Sequence, residues 1–409
     1  MPSWSSRSSA GLPAPSGRLL RWARTVLVVA ALLSVVWLIG LAFAFRTSPG
    51  WGYDFEAYLL AAYRLVRGAS LYLPWTLSGP FQPGPYGLYL YAPPLAVGML
   101  PLTALSVSAA TAIWFAIRAA LLVGAAALMP VRGWIRLLIL VLAVLSEPVL
   151  TDLNLGNVGL IVMFLSVVAW RYLDRPPAAV AVAASMAVRP TFGLFLVAWL
   201  FRRRWRQALI CLATGVLLIA ATLPFVGVSA YFDYVQLLHN LADLTRMQNN
   251  LDLGSTAVRL GLGDGVATLA LLAGYVTAAA AVVLSVRRDR EVSFMVTLGA
   301  TLLVSPVLQD HFLVGALLPI AFLLQRGRRA WLAVAMAVLM WVPGLGVPLL
   351  ALLAMLAPFL APPKPGASYA GGVPAESAES AESAESADRT EPESGLPEMG
   401  ASKRSTAPA

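Results

Sequence analysis

Long apolar runs, separated by five short arginine clusters, fill the chain from about Leu20 to Leu360. The clusters are Arg132 with Arg136, Arg171 with Arg175, Arg202-Arg203-Arg204-Trp205-Arg206, Arg287-Arg288-Asp289-Arg290 and Arg326-Gly327-Arg328-Arg329. Apolar runs of this length bury their backbone polar groups in lipid only as helices, so the pattern predicts an all-α integral membrane protein. Composition agrees: 59% of the 409 residues are hydrophobic and 12% are charged, about half the charged share of a soluble domain. The net charge of +9 lies mostly in the clusters. It therefore reports membrane topology, and no continuous basic face points to nucleic acid. The single cysteine, Cys211, excludes an internal disulfide.

Placing all five clusters on the cytoplasmic side requires the chain to cross out and back between each pair. That parity argument predicts about twelve transmembrane helices with both termini cytoplasmic, in a multi-pass plasma-membrane protein. Helix 1 spans roughly Leu20–Phe45 behind Arg7, Arg18, Arg21 and Arg24. It is longer than a signal-peptide core, so Ala42-Phe43-Ala44 is read as part of a retained anchor. Residues 46–106 then form a large first external loop, rich in Gly, Pro and Tyr (Gly79-Pro80-Phe81-Gln82-Pro83-Gly84-Pro85-Tyr86). Pro94–Leu105, interrupted by Pro101, reads as a re-entrant or interfacial piece. Outer apices fall near Thr151–Asn157, at Arg189-Pro190, at Gln309-Asp310-His311 and at Pro343-Gly344. At Arg189-Pro190 two pieces of about 12 residues meet, each shorter than the roughly 20 needed to span. Residues 1–18 and 363–409, the latter with Ala-Glu-Ser repeated from Ala375 to Ser386, are expected to be disordered cytoplasmic tails flanking a membrane domain of residues 19–362.

The same topology collects the reactive polar residues on one side. Asp54, Glu56, Asn154, Asn157, Arg189, Asn249, Asn250, Asp252, Arg259, Asp310 and His311 all fall at external apices, whereas the inner loops hold mainly arginine. Directly after helix 1 comes Gly52-Tyr53-Asp54-Phe55-Glu56-Ala57-Tyr58. A helix starting at Asp54 would put Phe55, Tyr58, Leu59, Ala62, Leu65 and Val66 on one face, as in a helix lying on a membrane surface. Asp54 reads as a catalytic base or as a plain helix N-cap; no Glu or Gln stands three residues on to complete a capping box. Glu56 reads as an acceptor-binding carboxylate or a solvated one. Arg189, in an apolar setting, suits paired hydrogen bonds to a phosphate or snorkels to a headgroup. His311 beside Asp310, next to Ser305-Pro306, is a hydrogen-bond donor or a structural histidine. Asn250 and Arg259 belong to a loop that binds substrate or is tied up by Asx capping. Arg118, mid-helix, contacts lipid phosphate or packs helices. His239 reads as a surface residue.

Asp54-Phe55-Glu56-Ala57-Tyr58 with Gly68-x-x-Leu71-Tyr72, then Tyr91-x-Pro93, Leu155-Gly156-Asn157, Arg189-Pro190 and Ser305-Pro306 before His311, resembles glycosyltransferase family 87 over roughly Leu20–Leu360. These are actinobacterial polyprenyl-phosphate-mannose-dependent α-mannosyltransferases of the membrane-embedded GT-C fold. The chain departs from the family at Gly156-Asn157-Val158-Gly159, where Gly-Gln-x-Asn is common. It departs again at Arg189, where Lys is common, and around Gln309-Asp310-His311, where Trp and paired His are common. The resemblance implies mannosyl transfer from a polyprenyl-phosphate donor to a glycolipid or glycan acceptor on the outer face. Asp54 would be the base, His311 a second catalytic group, and Glu56, Asn157, Arg189, Asn250, Arg259 and Asp310 substrate contacts. Arabinofuranosyl transfer by the same architecture and transport of lipid-linked sugars are the alternatives. No phosphate-binding Gly loop, dinucleotide fingerprint or metal-spaced Cys/His cluster occurs, so no cofactor or nucleotide-sugar donor is expected, and a metal site is not expected either, Asp54 and Glu56 being the one pair that could hold an ion.

Overall fold

The computed structural model describes residues 17–78, 88–241, 250–327 and 329–362. The Gly/Pro-rich stretch 79–87, Asn249, Arg328 and both tails lie outside the described residues. The described residues form one compact unit within Met1–Pro362, and every regular element among them is a helix.

The chain opens with α1 (Gly17–Ala44), then α2 (Tyr53–Val66), the short α3 (Pro74–Ser78) and α4 (Pro93–Met99). Next come α5 (Val107–Leu128), α6 (Gly133–Leu145) and α7 (Glu147–Leu155), the last two bent by 61° at Ser146. They are followed by α8 (Gly159–Arg171) and α9 (Pro176–Val188). A 3-10 turn at Pro190–Gly193 leads into α10 (Leu194–Phe201), α11 (Trp205–Val226) and α12 (Ser229–Leu241). The remaining helices are α13 (Leu253–Arg259), α14 (Gly263–Ser285), α15 (Arg290–Leu303), α16 (Leu317–Arg326), α17 (Ala330–Leu339) and α18 (Gly346–Leu356).

Four of these helices, α1, α5, α11 and α14, are long and apolar enough to cross a membrane; a bent α6–α7 span would make five. The other apolar helices are shorter, of 10–17 residues, where about twenty residues are needed to span. Breaks at Glu147-Pro148, Arg189-Pro190 and Pro343-Gly344 cut the apolar runs, because Pro lacks the N–H and clashes with the preceding turn. The short pieces are stabilised by protein packing instead. Val292–Leu303 of α15 is buried throughout, and Gly299 lets the α18 backbone approach so closely that a Cβ there would lie 2.4 Å from Met355 N. The long α11 and α14 instead expose Leu209, Val216, Leu217, Leu269 and Val276, as helices facing lipid do.

α2 differs from the surface helix expected from its periodicity. Phe55, Tyr58, Leu59 and Ala62 are buried as expected, but Ala57 and Ala61 join them and Val66 is exposed. Protein covers that face: α4 and the 3-10 segment Leu100–Ala104 pack on it. Tyr58 meets the rings of Tyr89, Tyr91 and Trp114. The segment leading into α4 is fixed by its tyrosines, Tyr72 Oη donating to Tyr91 O (2.8 Å) and Tyr89 Oη to Ala92 O (2.6 Å). Arg64 closes the loop after α2 by donating twice to Leu71 O, from Nε at 3.0 Å and Nη2 at 2.8 Å.

The junctions fall into two sets. Asn157 precedes α8, Arg189 follows α9, Ser305 follows α15 and His311 precedes α16. The opposite ends of the same helices carry Arg171, Asp174, Arg290 and Arg326. α9 alone separates the two sets by about 20 Å, from 1.5 Å per residue over its 13 residues.

Candidate active site

The base of the site is the junction between α7 and α8. Two side chains of α5 hold it by its carbonyls. Buried Arg118 donates to Asp152 O (2.6 Å) and Leu153 O (3.0 Å), with its guanidinium 3.5 Å from Asp152 Oδ1. One turn earlier, Trp114 Nε1 donates to Gly156 O (2.7 Å). Arg118 thus packs helices and satisfies the Leu153 carbonyl at the end of α7, while Asp152 O also accepts from Gly156 N (3.0 Å) and Asn157 N (3.2 Å). Gly156 turns the chain at φ 81°, and a Cβ there would lie 2.6 Å from Phe55 Cβ, so α2 sits directly on the turn. A Cβ at Gly159 would fall 2.3 Å from Asp152 Oδ2. Gly156 and Gly159 belong to the Gly156-Asn157-Val158-Gly159 stretch of the family resemblance, but Asp152 does not stand out in the sequence, and a carboxylate four residues before a helix-ending glycine carries no signal of such a pairing.

On this platform Asp54 enters from α2. It is the second residue of the helix, whose N-cap is Gly52 at φ 72° with no side-chain cap. The N-cap reading of Asp54 is therefore set aside. Asp54 Oδ2 accepts from Asn157 Nδ2 (2.8 Å), and His311 Nε2 lies 3.9 Å from the same oxygen. About a fifth of the Asp54 side chain (21%) is exposed. Burial pushes its carboxyl up to about 6; the Asn157 hydrogen bond and the positive charges of Arg118 and Arg189 hold it from going higher. His311 is buried, and burial together with Arg189 pushes its imidazole down to about 3. It is neutral near pH 7, so the 3.9 Å approach is a polar contact and not an ion pair.

Arg189 completes the group. Its Nη2 lies 3.4 Å from Asn157 Oδ1, its guanidinium stacks 3.8 Å over the Phe312 ring, and its buried Nε has no hydrogen-bond partner. Asp54 opens onto a cleft of about 420 Å³ lined by Tyr53, Thr151, Gln309, Asp310, His311 and Arg259, among others. Burial and the nearby Glu147 push the Asp310 carboxyl above its ordinary value, with Arg259 opposing. The volume and polarity suit a small polar ligand.

Four of the predicted residues, Asp54, Asn157, Arg189 and His311, therefore meet, and Asp310 and Arg259 line the adjoining cleft. Glu56 does not line it: two residues along, it points about 200° around α2, where partial burial raises its carboxyl. Asn250 also stays out. Its amide donates to Asp252 Oδ2 (2.7 Å) and Pro306 O (2.8 Å), and its oxygen accepts from Leu308 N (2.9 Å), which ties the two loops together. Asp252 caps α13 through Ser255 N (2.6 Å), and Asn154 donates to Pro49 O (3.2 Å); both hold the backbone in place. His239, in the last turn of α12, is exposed, in keeping with its sequence context.

The sequence model of glycosyltransferase family 87 matches residues 89–306, just over half of the chain. The chain belongs to glycosyltransferase family 87. It is a membrane glycosyltransferase, with a sugar donor and an acceptor as substrates. Within the matched range the family 87 segment supplies Tyr91, Arg118, Asp152, Asn157 and Arg189; Asp54 and His311 lie on either side of it and are brought in by the fold. Neither the curated proteins nor the solved structures compared with the chain give a match.

Proposed function

We propose that this family 87 enzyme transfers a mannosyl residue from a polyprenyl-phosphate donor to a glycolipid or glycan acceptor, with Asp54 as general base. The observation that carries the reading is one ionisable carboxylate, held by an amide and open to a sugar-sized cleft, with an incompletely bonded arginine on the other side of the same amide. In the step, the acceptor hydroxyl oxygen forms the new bond to the anomeric carbon. The bond from that carbon to the donor phosphate breaks, and the hydroxyl proton passes to Asp54. The lipid phosphate leaves with its charge beside Arg189, whose planar N–H fork matches a phosphate. This is a single displacement with inversion. Neutral His311 donates a hydrogen bond from Nε2 to the sugar or the phosphate, and Asp310 and Arg259 contact the acceptor in the cleft.

The arginine-rich ends of α8, α9, α15 and α16 would face the cytoplasm of a plasma membrane, with the site on the outer face and both termini inside. Short helices stacked across the breaks would then complete a GT-C-type bundle of about twelve crossings. The test supplies membranes with labelled polyprenyl-phosphate sugars and glycolipid acceptor, and compares wild type with Asp54→Asn. Loss of the base should lower transfer about 10³-fold, within the 10²–10⁴ range of general-base catalysis, at unchanged protein level. Near-normal transfer by Asp54→Asn sinks the proposal; an arabinosylated product would replace mannose as the donor sugar.

A further inference from the structure

We infer that Asn157 is a positioning residue that ties the base to the phosphate-binding arginine and touches neither substrate. The inference rests on Asp54 being the base. A primary carboxamide has two N–H donors and one oxygen with two lone pairs. Asn157 Nδ2 donates to Asp54 Oδ2 (2.8 Å) and to Tyr91 Oη (3.2 Å). Its Oδ1 accepts from Gly159 N (3.1 Å) and from Arg189 Nη2 (3.4 Å). All four positions are filled, and the residue is 2% exposed. A substrate could bond to it only by displacing one of these partners.

The amide orientation is forced by chemistry. Turned over, its NH2 would face the N–H groups of Gly159 and Arg189, two donors against a donor, while its oxygen faced the Asp54 carboxylate. The backbone is equally constrained. Gly156 and Gly159 flank Asn157 where a Cβ would collide with Phe55 and Asp152, and Arg118 and Trp114 pin the carbonyls just before it. With its rotamer fixed in this way, Asn157 aims one oxygen of Asp54 and, through its own oxygen, holds Arg189. A phosphate that draws Arg189 toward itself pulls on the same amide that orients the base. Donor binding and base alignment are thereby coupled.

The charged and titratable groups facing Asp54 are Arg118 from α5, Asp152 from α7, Arg189 after α9 and His311 before α16, with Asp310 and, from α13, Arg259 across the cleft. Tyr91 faces it from the segment before α4, and Tyr53 and Tyr58 from α2 itself. All remain in a variant at position 157, so a change in the pH profile there reports the amide. The experiment measures kcat and KM for donor and acceptor, and kcat/KM from pH 5 to 8, on full-length protein in lipid nanodiscs. It compares wild type, Asn157→Ala, Asn157→Asp and Asp54→Asn.

Removing a hydrogen bond to a charged group should lower kcat roughly 10- to 100-fold in Asn157→Ala, raise the acid midpoint by about half to one pH unit, and leave acceptor KM within about twofold. The isosteric Asn157→Asp keeps the shape and the Arg189 contact but sets a second carboxyl against Asp54. Its midpoint should rise further, which keeps the test informative if the alanine variant fails to fold. An inactive Asp54→Asn with unmoved midpoints in both Asn157 variants overturns the inference alone. So does a tenfold rise in acceptor KM at unchanged kcat, which would mark Asn157 as a substrate contact. An active Asp54→Asn removes the base reading itself.

Discussion

At the Asp174 end of α9, Asp174, Asp289 and Glu291 each lie against an arginine, whereas at the Arg189 end Asp54 does not. Asp174 pairs with Arg204 (3.4 Å) and with Arg290, and Arg326 reaches Asp289 (3.1 Å) and Glu291 (2.9 Å). At the other end, Arg118 lies 3.5 Å from Asp152 Oδ1 and holds its backbone as well, but Asp54 receives an amide from Asn157, with a neutral imidazole 3.9 Å away. Arg189, the cation that could have paired with it, turns instead to the Asn157 oxygen and the Phe312 ring. Ion pairs that are complete hold helices together; a carboxylate and a guanidinium kept apart by one amide retain capacity for something else. The site is thus a closed pair, Arg118–Asp152, underneath an open set, Asp54, Arg189 and His311.

The comparison breaks if the closed pair is dispensable. Arg118→Ala strips a fully buried aspartate of its partner and frees the Leu153 carbonyl, and should lower stability by about 3–5 kcal/mol. Thermal unfolding of the purified protein in detergent measures this, and a restored melting temperature in Arg118→Ala with Asp152→Ala would show that the stranded charge is the cause. An unchanged melting temperature for the single variant would mean that the pair contributes nothing and that the platform is held by Trp114 alone.

Much of this division was legible in the sequence and some of it was not, for physical reasons. Arginine clusters obey a simple electrostatic rule, so the segregation of Asp54, Asn157, Arg189 and His311 from Arg171, Asp174, Arg290 and Arg326 followed from counting crossings. The break at Arg189-Pro190 followed from proline stereochemistry. The burial of α2 did not, because an amphipathic helix has the same periodicity whether lipid or protein covers it, and its cover comes from far along the chain, Tyr91 and Trp114 standing 33 and 56 residues from the Tyr58 ring they meet. A span count by parity assumes that each apolar run meets lipid, and α15 meets protein on all sides. Arg118 was recognised but not assigned, since its partner Asp152 stands 34 residues away. Asn157 was expected to bind substrate; that its four hydrogen-bonding positions are already used is a property of distances, which composition and spacing do not encode.

A smaller effect sharpens the open half of the comparison. A base must be ionised, and the Asp54 carboxyl is raised to about 6, so kcat/KM should climb with pH and level off above about 7. At pH 5 activity should be about tenfold below the plateau, since each pH unit under the midpoint removes about tenfold of the ionised form. His311, held near 3, adds no inflection of its own in this range, and the midpoint belongs to Asp54 together with Asp152, whose charge acts on it. A profile flat from pH 5 to 7 would show that Asp54 is no more basic than an exposed aspartate, and the contrast with the paired acids would vanish.

The smallest effect lies at the far end. Arg290 and Asp174 are 56% and 37% exposed, so solvent screens their attraction, and Arg204 remains beside Asp174 when Arg290 is removed. Arg290→Ala should therefore cost less than about 1 kcal/mol, read as a shift of a few degrees at most in thermal unfolding, and transfer should stay within about twofold of wild type. Raising salt should shrink even that difference, because exposed pairs are screened and buried ones are not. A tenfold loss of transfer in Arg290→Ala at normal stability would overturn the division itself. It would mean that the two ends of α9 are mechanically linked, with the packing of α15 carrying the change from Arg290 to Ser305 and on to the Arg189 side of the site.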